Sequence, residues 1–182
     1  LDSRKLKSAL KNVDMVFHLA AKVTTPFADQ NPHLFEQTNH WGTAELVYAI
    51  EESDVQKFTY LSSASVYGAS SEEVNESSPT HPKTFYGISK LRGEEHVQRL
   101  FDKGKNSCII RSGNAYGFNR SMRFDSVINR FMFDAHFKGR IQIQGNGNQH
   151  RSFVHIATLA KVLAKLVSQF PKNGKYNLTE NT

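Results

Sequence analysis

Two residues of the chain, Tyr86 and Lys90, have the types and the spacing of an acid–base pair. They are four positions apart in a segment that predicts a long helix over 84–101, so both lie on one helical face. An ammonium group beside a phenol favours the phenolate and moves the pKa of the phenol toward values useful in general acid–base catalysis. The same spacing is typical of an exposed helical pair, so the surrounding segments have to decide between the two interpretations.

Hydroxyl side chains follow a predicted strand upstream of this pair. The segment 57–62 predicts a strand, and Ser62, Ser63 and Ser65 lie at its end. Because ligands of open α/β folds bind at the carboxyl ends of parallel strands, one of these hydroxyls could bind a substrate oxygen while Tyr86 moves its proton. Serines that simply end a strand in a turn are the alternative interpretation.

The rest of the chain alternates between predicted strands and helices. Strands are expected at 13–20, 57–62, 107–111, 141–144, 152–155 and 175–178, and helices at 34–52, 84–101, 121–136 and 156–170. Strands that alternate with long helices indicate right-handed βαβ units and a parallel sheet. The pattern changes after Gly113, which predicts an α/β protein with a smaller second lobe.

The composition excludes several classes of protein. Of the 182 residues, 38% are hydrophobic and 22% are charged, which excludes a disordered or collagen-like chain. The longest apolar run, around 15–21, contains His18 and is too short to span a bilayer, and no secretory leader precedes it. The single cysteine, Cys108, excludes an internal disulfide framework. We therefore expect a soluble, globular, cytoplasmic protein without a membrane partner.

The net charge of +6 is unevenly distributed along the chain. Residues 103–175 contain thirteen Lys or Arg and two Asp, a net charge of +11, whereas the remainder has a net charge of −5. A basic segment of this kind indicates an anionic partner, either a nucleic acid or a phosphorylated small molecule. A solvated basic surface is the alternative.

Six short segments together resemble the motifs of one enzyme family, the extended short-chain dehydrogenases/reductases. They occur in the family's order and spacing and are Phe17-His-Leu-Ala-Ala21, Thr38-Asn-His-Trp-Gly-Thr43, Leu61-Ser-Ser-Ala-Ser-Val-Tyr-Gly68, Tyr86-Gly-Ile-Ser-Lys90, Ile110-Arg-Ser-Gly-Asn-Ala-Tyr-Gly117 and Gly145-Asn-Gly-Asn-Gln-His-Arg-Ser-Phe-Val-His155. Each motif alone is weak, but six in register are specific. The resemblance runs from Leu1 to Leu178 and is to the NAD-dependent epimerase/dehydratase group, which includes nucleotide-sugar enzymes.

The resemblance implies a Rossmann-like, doubly wound parallel sheet with a smaller α+β substrate lobe. Residues 1–112 would form a partial nucleotide-binding core and 113–182 mainly the substrate lobe, with about 156–178 returning to the core. The family begins with a glycine-rich turn that holds the pyrophosphate of the cofactor, but Gly42 is the first glycine here. We therefore expect an internal fragment, incomplete at the N-terminus and inactive by itself. A truncated homologue that no longer binds dinucleotide is the alternative.

The resemblance also implies roles for individual residues. Tyr86 corresponds to the catalytic acid/base, Lys90 to the residue that binds the nicotinamide ribose and tunes Tyr86, and Ser63 to the catalytic serine or threonine. The implied cofactor, NAD or NADP, would further contact Leu19, Ala20, Ala21, Asn39, Ser62 and Ser112. The implied substrate contacts are Ser63, Ser65, Asn114 and Arg151. An arginine suits a phosphorylated substrate, because its planar fork binds phosphate through two hydrogen bonds.

The resemblance therefore predicts an NAD(P)-dependent epimerase, dehydratase or reductase of a nucleotide-sugar, which works by hydride transfer with Tyr86 moving the hydroxyl proton. A reductase of a sterol or a small carbonyl compound would use the same catalytic residues. A non-catalytic, dehydrogenase-like scaffold that binds RNA is a further alternative, although the chain has no RNA-recognition signature. The chain has neither paired cysteines nor an H-E-x-x-H motif, so the sequence predicts no metal site. The resemblance also implies a homodimer for the full-length protein.

Overall fold

A parallel sheet is the centre of the structure. The computed structural model describes residues 2–23, 31–70, 72–143 and 145–180. Its strands are β1 (Met15–His18), β2 (Lys57–Ser63), β3 (Asn106–Ser112), β4 (Asn114–Tyr116), β5 (Phe153–His155) and β6 (Gly174–Leu178). Strands β1, β2, β3 and β6 form one sheet in that order, and all neighbouring pairs are parallel. The predicted parallel sheet is therefore confirmed.

Helices connect the strands. They are α1 (Ser3–Ala9), α2 (Pro32–Phe35), α3 (Gly42–Glu51), α4 (Phe85–Asp102), α5 (Val127–Lys138) and α6 (Ile156–Ser168). A π-helical stretch, Glu36–Trp41, joins α2 to α3, and a short 3₁₀ turn, Ala64–Tyr67, follows β2. The Thr84 hydroxyl accepts a hydrogen bond from the amide of Gly87 at 3.0 Å and so caps α4. This cap places Tyr86 in the first turn of α4.

Helices cover the sheet on both faces. Because side chains alternate along a strand, Ile109 of β3 packs with residues of α3 and α4, whereas its neighbours Cys108 and Ile110 pack in a second cluster with Leu166 of α6. The other buried members of the first cluster are Leu10, Val47, Ala49, Ile50, Val55, Phe58, Tyr60, Val97 and Leu100. This arrangement confirms the predicted α/β class with a Rossmann-like, doubly wound sheet.

Strands β4 and β5 form a separate parallel pair, in which Asn114 lies opposite Phe153. The sequence pattern does not predict β4, because three residues are too few to show alternation. The strand predicted at 141–144 is wrong for 141–143, which form no strand, and Gln144 lies outside the described residues. Ile141 and Ile143 are exposed, so their alternation with polar residues marks no buried sheet face.

Helix α5 begins at Val127, later than the predicted position near residue 121. The Ser126 hydroxyl and the Asn129 amide both donate to the carbonyl of Arg123, each at 3.0 Å. The Arg123 guanidinium in turn binds the carboxylate of Asp125 through two hydrogen bonds. These bonds hold the segment before α5 in a turn, which keeps it outside the helix.

A buried ion pair joins α4 to the sheet. Arg111 of β3 and Glu94 of α4 are 2% and 1% exposed, and the guanidinium binds the carboxylate through Nε at 3.0 Å and Nη2 at 2.7 Å. Ser62 of β2 donates a further hydrogen bond to Glu94 at 2.6 Å. Although burial by itself lowers the pKa of Arg111, its bonds to Glu94 raise that pKa above the ordinary value. The guanidinium therefore remains charged, and each side chain of the pair depends on the other for its hydrogen bonds.

Removing one partner of this pair should destabilise the protein more than removing both. Glu94→Leu leaves a buried, unpaired guanidinium, and Arg111→Met leaves a buried, unpaired carboxylate, so each should cost about 3–5 kcal/mol of unfolding free energy. The double variant should cost much less than the sum, which urea denaturation of all four proteins measures as a double-mutant cycle. Arg99→Met, at an exposed pair with Glu51, is the control and should hardly change stability. Additive losses in the cycle would contradict the prediction.

His18 ends β1 and is held in its neutral form. Its Nε2–H donates to the Thr43 hydroxyl at 2.9 Å, because that hydroxyl itself donates to the carbonyl of Asn39 at 2.6 Å. The imidazole stacks on the Tyr60 ring with the two centroids 5.4 Å apart. Burial, followed by the nearby ammonium of Lys90, lowers the pKa of His18 to about 4.

As the pH decreases from about 6.5 to about 4, the free energy of unfolding should therefore decrease. The pKa of His18 is 6.5 in the unfolded chain and about 4 in the folded one, so the unfolded state binds more protons in this interval. The full interval corresponds to about 3 kcal/mol. In urea denaturation at several pH values across it, His18→Phe should remove this part of the slope. The control His33→Gln, at an exposed position, should retain it, and an unchanged slope in His18→Phe would refute the assignment.

Candidate active site

The end of β2 and the first turn of α4 bring Ser63 and Tyr86 together. The Ser63 hydroxyl accepts hydrogen bonds from the amide of Ser65 at 3.2 Å and from its hydroxyl at 3.0 Å, and it also hydrogen-bonds the Tyr86 side chain. Burial raises the pKa of Tyr86, whereas the bond to Ser63 and the positive charge of Arg123 lower it. The phenol thus lies in a low-dielectric site where nearby groups control its proton.

Lys90 lies one helical turn beyond Tyr86 and is only 2% exposed. Its ammonium is 4.0 Å from the centroid of the Tyr60 ring. Burial lowers the pKa of Lys90 to about 7, and the carboxylate of Glu94 opposes this decrease. At neutral pH the lysine is therefore close to its midpoint, and small changes in its surroundings change its charge.

Asn39 fixes the chain that follows β1. Its amide oxygen accepts a hydrogen bond from the backbone amide of Lys22 at 2.7 Å, and its amide nitrogen donates to the Lys22 carbonyl at 2.8 Å and to the Ser89 hydroxyl at 3.0 Å. Asn39 belongs to the π-helical stretch, a local geometry that often occurs at functional sites. Leu19 and Ala20, which precede this clamp, are exposed.

Ser62 and Ser112 direct their side chains into the protein. The Ser62 hydroxyl binds Glu94, and the Ser112 hydroxyl donates to the Ser62 carbonyl at 3.5 Å. Both residues are buried, and in the register of β2 and β3 Ser62 lies opposite Arg111 whereas Ser112 lies opposite Ser63. The Ser112 hydroxyl therefore links the ends of β2 and β3, and the proton of the Ser62 hydroxyl is donated to Glu94 of α4.

The other two predicted substrate residues line a common cleft. This cleft has a volume of about 430 Å³, and both Asn114 and Arg151 contribute to its wall. Asn114 donates to the Ser152 carbonyl at 3.2 Å, and the Arg151 guanidinium donates to the His150 carbonyl at 3.0 Å. Both side chains are exposed, so their remaining donors are accessible to an anionic ligand. Neither Ser63 nor Ser65 lines this cleft.

Arg123 is a candidate residue that the motifs do not indicate. It lines the same cleft as Arg151 and is oriented by its two bonds to Asp125. Its charge also acts on Tyr86 and lowers the pKa of that phenol. The basic character of 103–175 was the only signal in the sequence that included it, and that signal does not distinguish Arg123 from the other cations of the segment.

Two further properties concern ligands and membranes. Among the residues that the structure describes, no group of three or more His, Cys, Asp or Glu could hold a metal ion. Within the same ranges, every helix is too short or too polar to cross a membrane.

Curated relatives match nearly the whole chain. The dTDP-D-glucose 4,6-dehydratase of Mus musculus is 31% identical over 179 residues, which are 97% of this chain and 50% of the relative. A putative UDP-glucose 4-epimerase of Methanocaldococcus jannaschii is 30% identical over 177 residues, which are 94% of this chain and 57% of the relative. The chain thus spans about half the length of the curated relatives it matches.

Solved structures have the same fold. MoeE5 in complex with UDP-glucose and NAD has a TM-score of 0.86 and 26% identity, over 100% of this chain and 62% of MoeE5. UDP-glucuronic acid 4-epimerase from Bacillus cereus, in complex with UDP-glucuronic acid and NAD, has a TM-score of 0.86, over 100% of this chain and 59% of the epimerase. Its identity is 24%, so this likeness concerns the fold alone. The profile of the NAD dependent epimerase/dehydratase family matches residues 1–179, and the chain therefore belongs to the NAD dependent epimerase/dehydratase family.

Proposed function

We propose that the protein is an NAD- or NADP-dependent enzyme that epimerises, dehydrates or reduces a nucleotide-sugar, with Tyr86 as the acid/base. The observation that carries this proposal is the hydrogen bond between Ser63 and Tyr86 at the carboxyl end of β2, with Lys90 one helical turn further along α4. Ligands of open α/β sheets bind at this edge. Membership of the family supports the proposal, as do the nucleotide-sugar names of the relatives.

The residues at this edge fit part of a nicotinamide cofactor. Leu19 and Ala20 are exposed directly after β1 and offer an apolar surface, and the clamp by Asn39 fixes the backbone that follows them. The Lys90 ammonium supplies donors that suit ribose hydroxyls. Bound there, the nicotinamide would accept a hydride from the substrate carbon and return it.

In the proposed reaction, Tyr86 takes the proton from the oxygen of a sugar C–OH group while a hydride leaves the carbon of the same group. The phenolate oxygen takes the proton of a sugar hydroxyl as its carbon loses a hydride, which leaves a carbonyl group. Ser63 hydrogen-bonds the Tyr86 oxygen, and the positive charge of Arg123 favours the phenolate. We expect the Lys90 ammonium, one helical turn further along α4, to add to this effect. Burial of Tyr86 raises its pKa, so these groups are needed to make it a base near neutral pH.

The cleft next to this site would hold the phosphorylated part of the substrate. Arg151 and Arg123 bring two guanidinium groups to its wall, and Asn114 adds an amide. Guanidinium groups recognise phosphate through paired, charge-assisted hydrogen bonds. A small phosphorylated ligand bound by these groups would explain part of the basic character of 103–175. A nucleic acid partner is then not required.

The proposal includes the assembly and the compartment. We expect a homodimer that uses the outer surface of α3 and α4, since Trp41 beside α3 is 55% exposed and Tyr48 on α3 is also exposed. Large exposed aromatic residues of this kind are typical of subunit contacts. A reducing, cytoplasmic compartment is compatible with the single, buried thiol of Cys108.

Tyr86→Phe should abolish turnover and leave dinucleotide binding intact. The phenylalanine fills the same space but cannot take or give a proton, so kcat should fall by roughly 10²–10⁴-fold. We would measure turnover of UDP-glucose and dTDP-glucose by the full-length protein and by its Tyr86→Phe variant, and titrate NAD(H) against both. Tyr176→Phe, at a half-buried position of β6 outside the cleft, is the matched control and should keep full activity. Turnover by Tyr86→Phe within a few-fold of the native rate would remove Tyr86 from its role.

Arg151→Ala should weaken substrate binding more than it slows the chemical step. The loss of a charged hydrogen bond to phosphate should raise KM for the nucleotide-sugar by about 10- to 100-fold while kcat changes little. Arg140→Ala, an exposed cation outside the cleft, is the control and should leave KM unchanged. A decrease in kcat with an unchanged KM would show that Arg151 does not bind the ground-state substrate.

A further inference from the structure

The ammonium of Lys90 lies on an aromatic face. Its nitrogen is 4.0 Å from the ring centroid of Tyr60, within the range of a cation–π contact. Tyr60 is fully buried and Lys90 nearly so. Such a contact is strongest where water is excluded, because the ring then replaces part of the lost hydration of the cation.

The Tyr60 ring is locked in this position from several sides. Its hydroxyl occupies the space above Gly93, where an added Cβ would come within 2.3 Å of the oxygen. The same hydroxyl donates to the Lys90 carbonyl at 3.4 Å. The imidazole of His18 stacks against the ring with its centroid 5.4 Å away. The ring therefore has little freedom to move away from Lys90.

The groups around the ammonium explain why the ring matters. Glu94, on the same helix, attracts the positive charge, but its carboxylate is already bound by Arg111 and Ser62. His18 of β1 is kept neutral and adds no charge, and Tyr86 is the proton-bearing partner on α4. The negative face of the Tyr60 ring, whose centroid is 4.0 Å from the ammonium, therefore favours the charged form of Lys90 alongside Glu94.

We propose that Tyr60 is a positioning residue that holds Lys90 in place and keeps it protonated next to Tyr86. The aromatic face opposes the effect of burial, which favours neutral lysine. A larger fraction of charged Lys90 in turn favours the Tyr86 phenolate. This consequence for catalysis rests on the proposed function, whereas the effect on Lys90 itself does not.

The test replaces Tyr60 by phenylalanine and by phenylalanines with an increasing number of ring fluorines. Fluorine weakens the negative charge of the ring face while size changes little. The pKa of Lys90 would be read from its ¹⁵Nζ resonance in the native protein without substrate, with the resonance assigned by its loss in Lys90→Arg. Thermal melting of each variant verifies that it is folded. The matched control is the same series at Phe58, which is also buried on β2.

Tyr60→Phe should keep the pKa of Lys90 near its native value of about 7, because the ring remains. The fully fluorinated ring should lower it by about one pKa unit, with intermediate rings in between. The series at Phe58 should have no effect. An unchanged pKa of Lys90 across the folded Tyr60 series would overturn the proposal.

Turnover separates this proposal from the proposed function. If the pKa of Lys90 follows the fluorine number, the role of Tyr60 stands even where no nucleotide-sugar is converted, and only the proposed function fails. If nucleotide-sugars are converted, the alkaline limit of the pH–rate profile should move down together with the pKa of Lys90. Turnover with an unchanged pKa across the series would leave the function intact and refute the role of Tyr60.

Discussion

The position of α4 on the sheet depends on the buried pair between Glu94 and Arg111. Glu94 is four residues after Lys90 and eight after Tyr86, so the three side chains share one stripe of the helix. When Arg111 and Ser62 bind Glu94, they fix the rotation and the height of α4 against β2 and β3. A buried charged pair is weak evidence for stability, because the cost of its desolvation offsets the attraction between the two charges. Here the pair holds the turns of α4 that carry Tyr86 and Lys90 against the sheet.

The same stripe sets the electrostatics of the site. Burial acts against charge on every titratable group there: it raises the pKa of Tyr86 and lowers those of Lys90 and His18. The groups differ in what opposes burial. His18 is neutral at pH 7 because burial and the charge of Lys90 both lower its pKa. The charged form of Lys90 is favoured by Glu94, and the charge of Arg123 lowers the pKa of Tyr86. The imidazole is thus removed from the charge balance at pH 7, whereas the charge of Arg123 favours the phenolate form of Tyr86.

The sequence predicts those parts of the fold that have a period or a motif. The sheet strands, the long helix and the segments containing Tyr86 and Lys90 were accessible because alternation, helical length and spacing are local properties. Arg123 was not, since its position depends on a turn formed with Asp125 and Asn129. The sequence could not exclude the wrong strand at 141–143 either. The alternation of apolar and polar residues there does not show whether a neighbouring strand exists. The roles of individual residues could be predicted only from the family resemblance, which rests on motifs spread over the whole chain.

Two glycines, Gly87 and Gly93, allow α4 to pack closely against the turn after β2 and against the Tyr60 ring. An added Cβ at Gly87 would lie 2.8 Å from the carbonyl oxygen of Ser65, and one at Gly93 would collide with the hydroxyl of Tyr60. Both glycines therefore act through the absence of a side chain, at a cost of roughly 1 kcal/mol each in helix propensity. The first lets the turn after β2 contact the helix beside Tyr86, and the second makes room for the ring on which Lys90 lies. The close contacts at the site thus require two glycines that lower the helix propensity of α4.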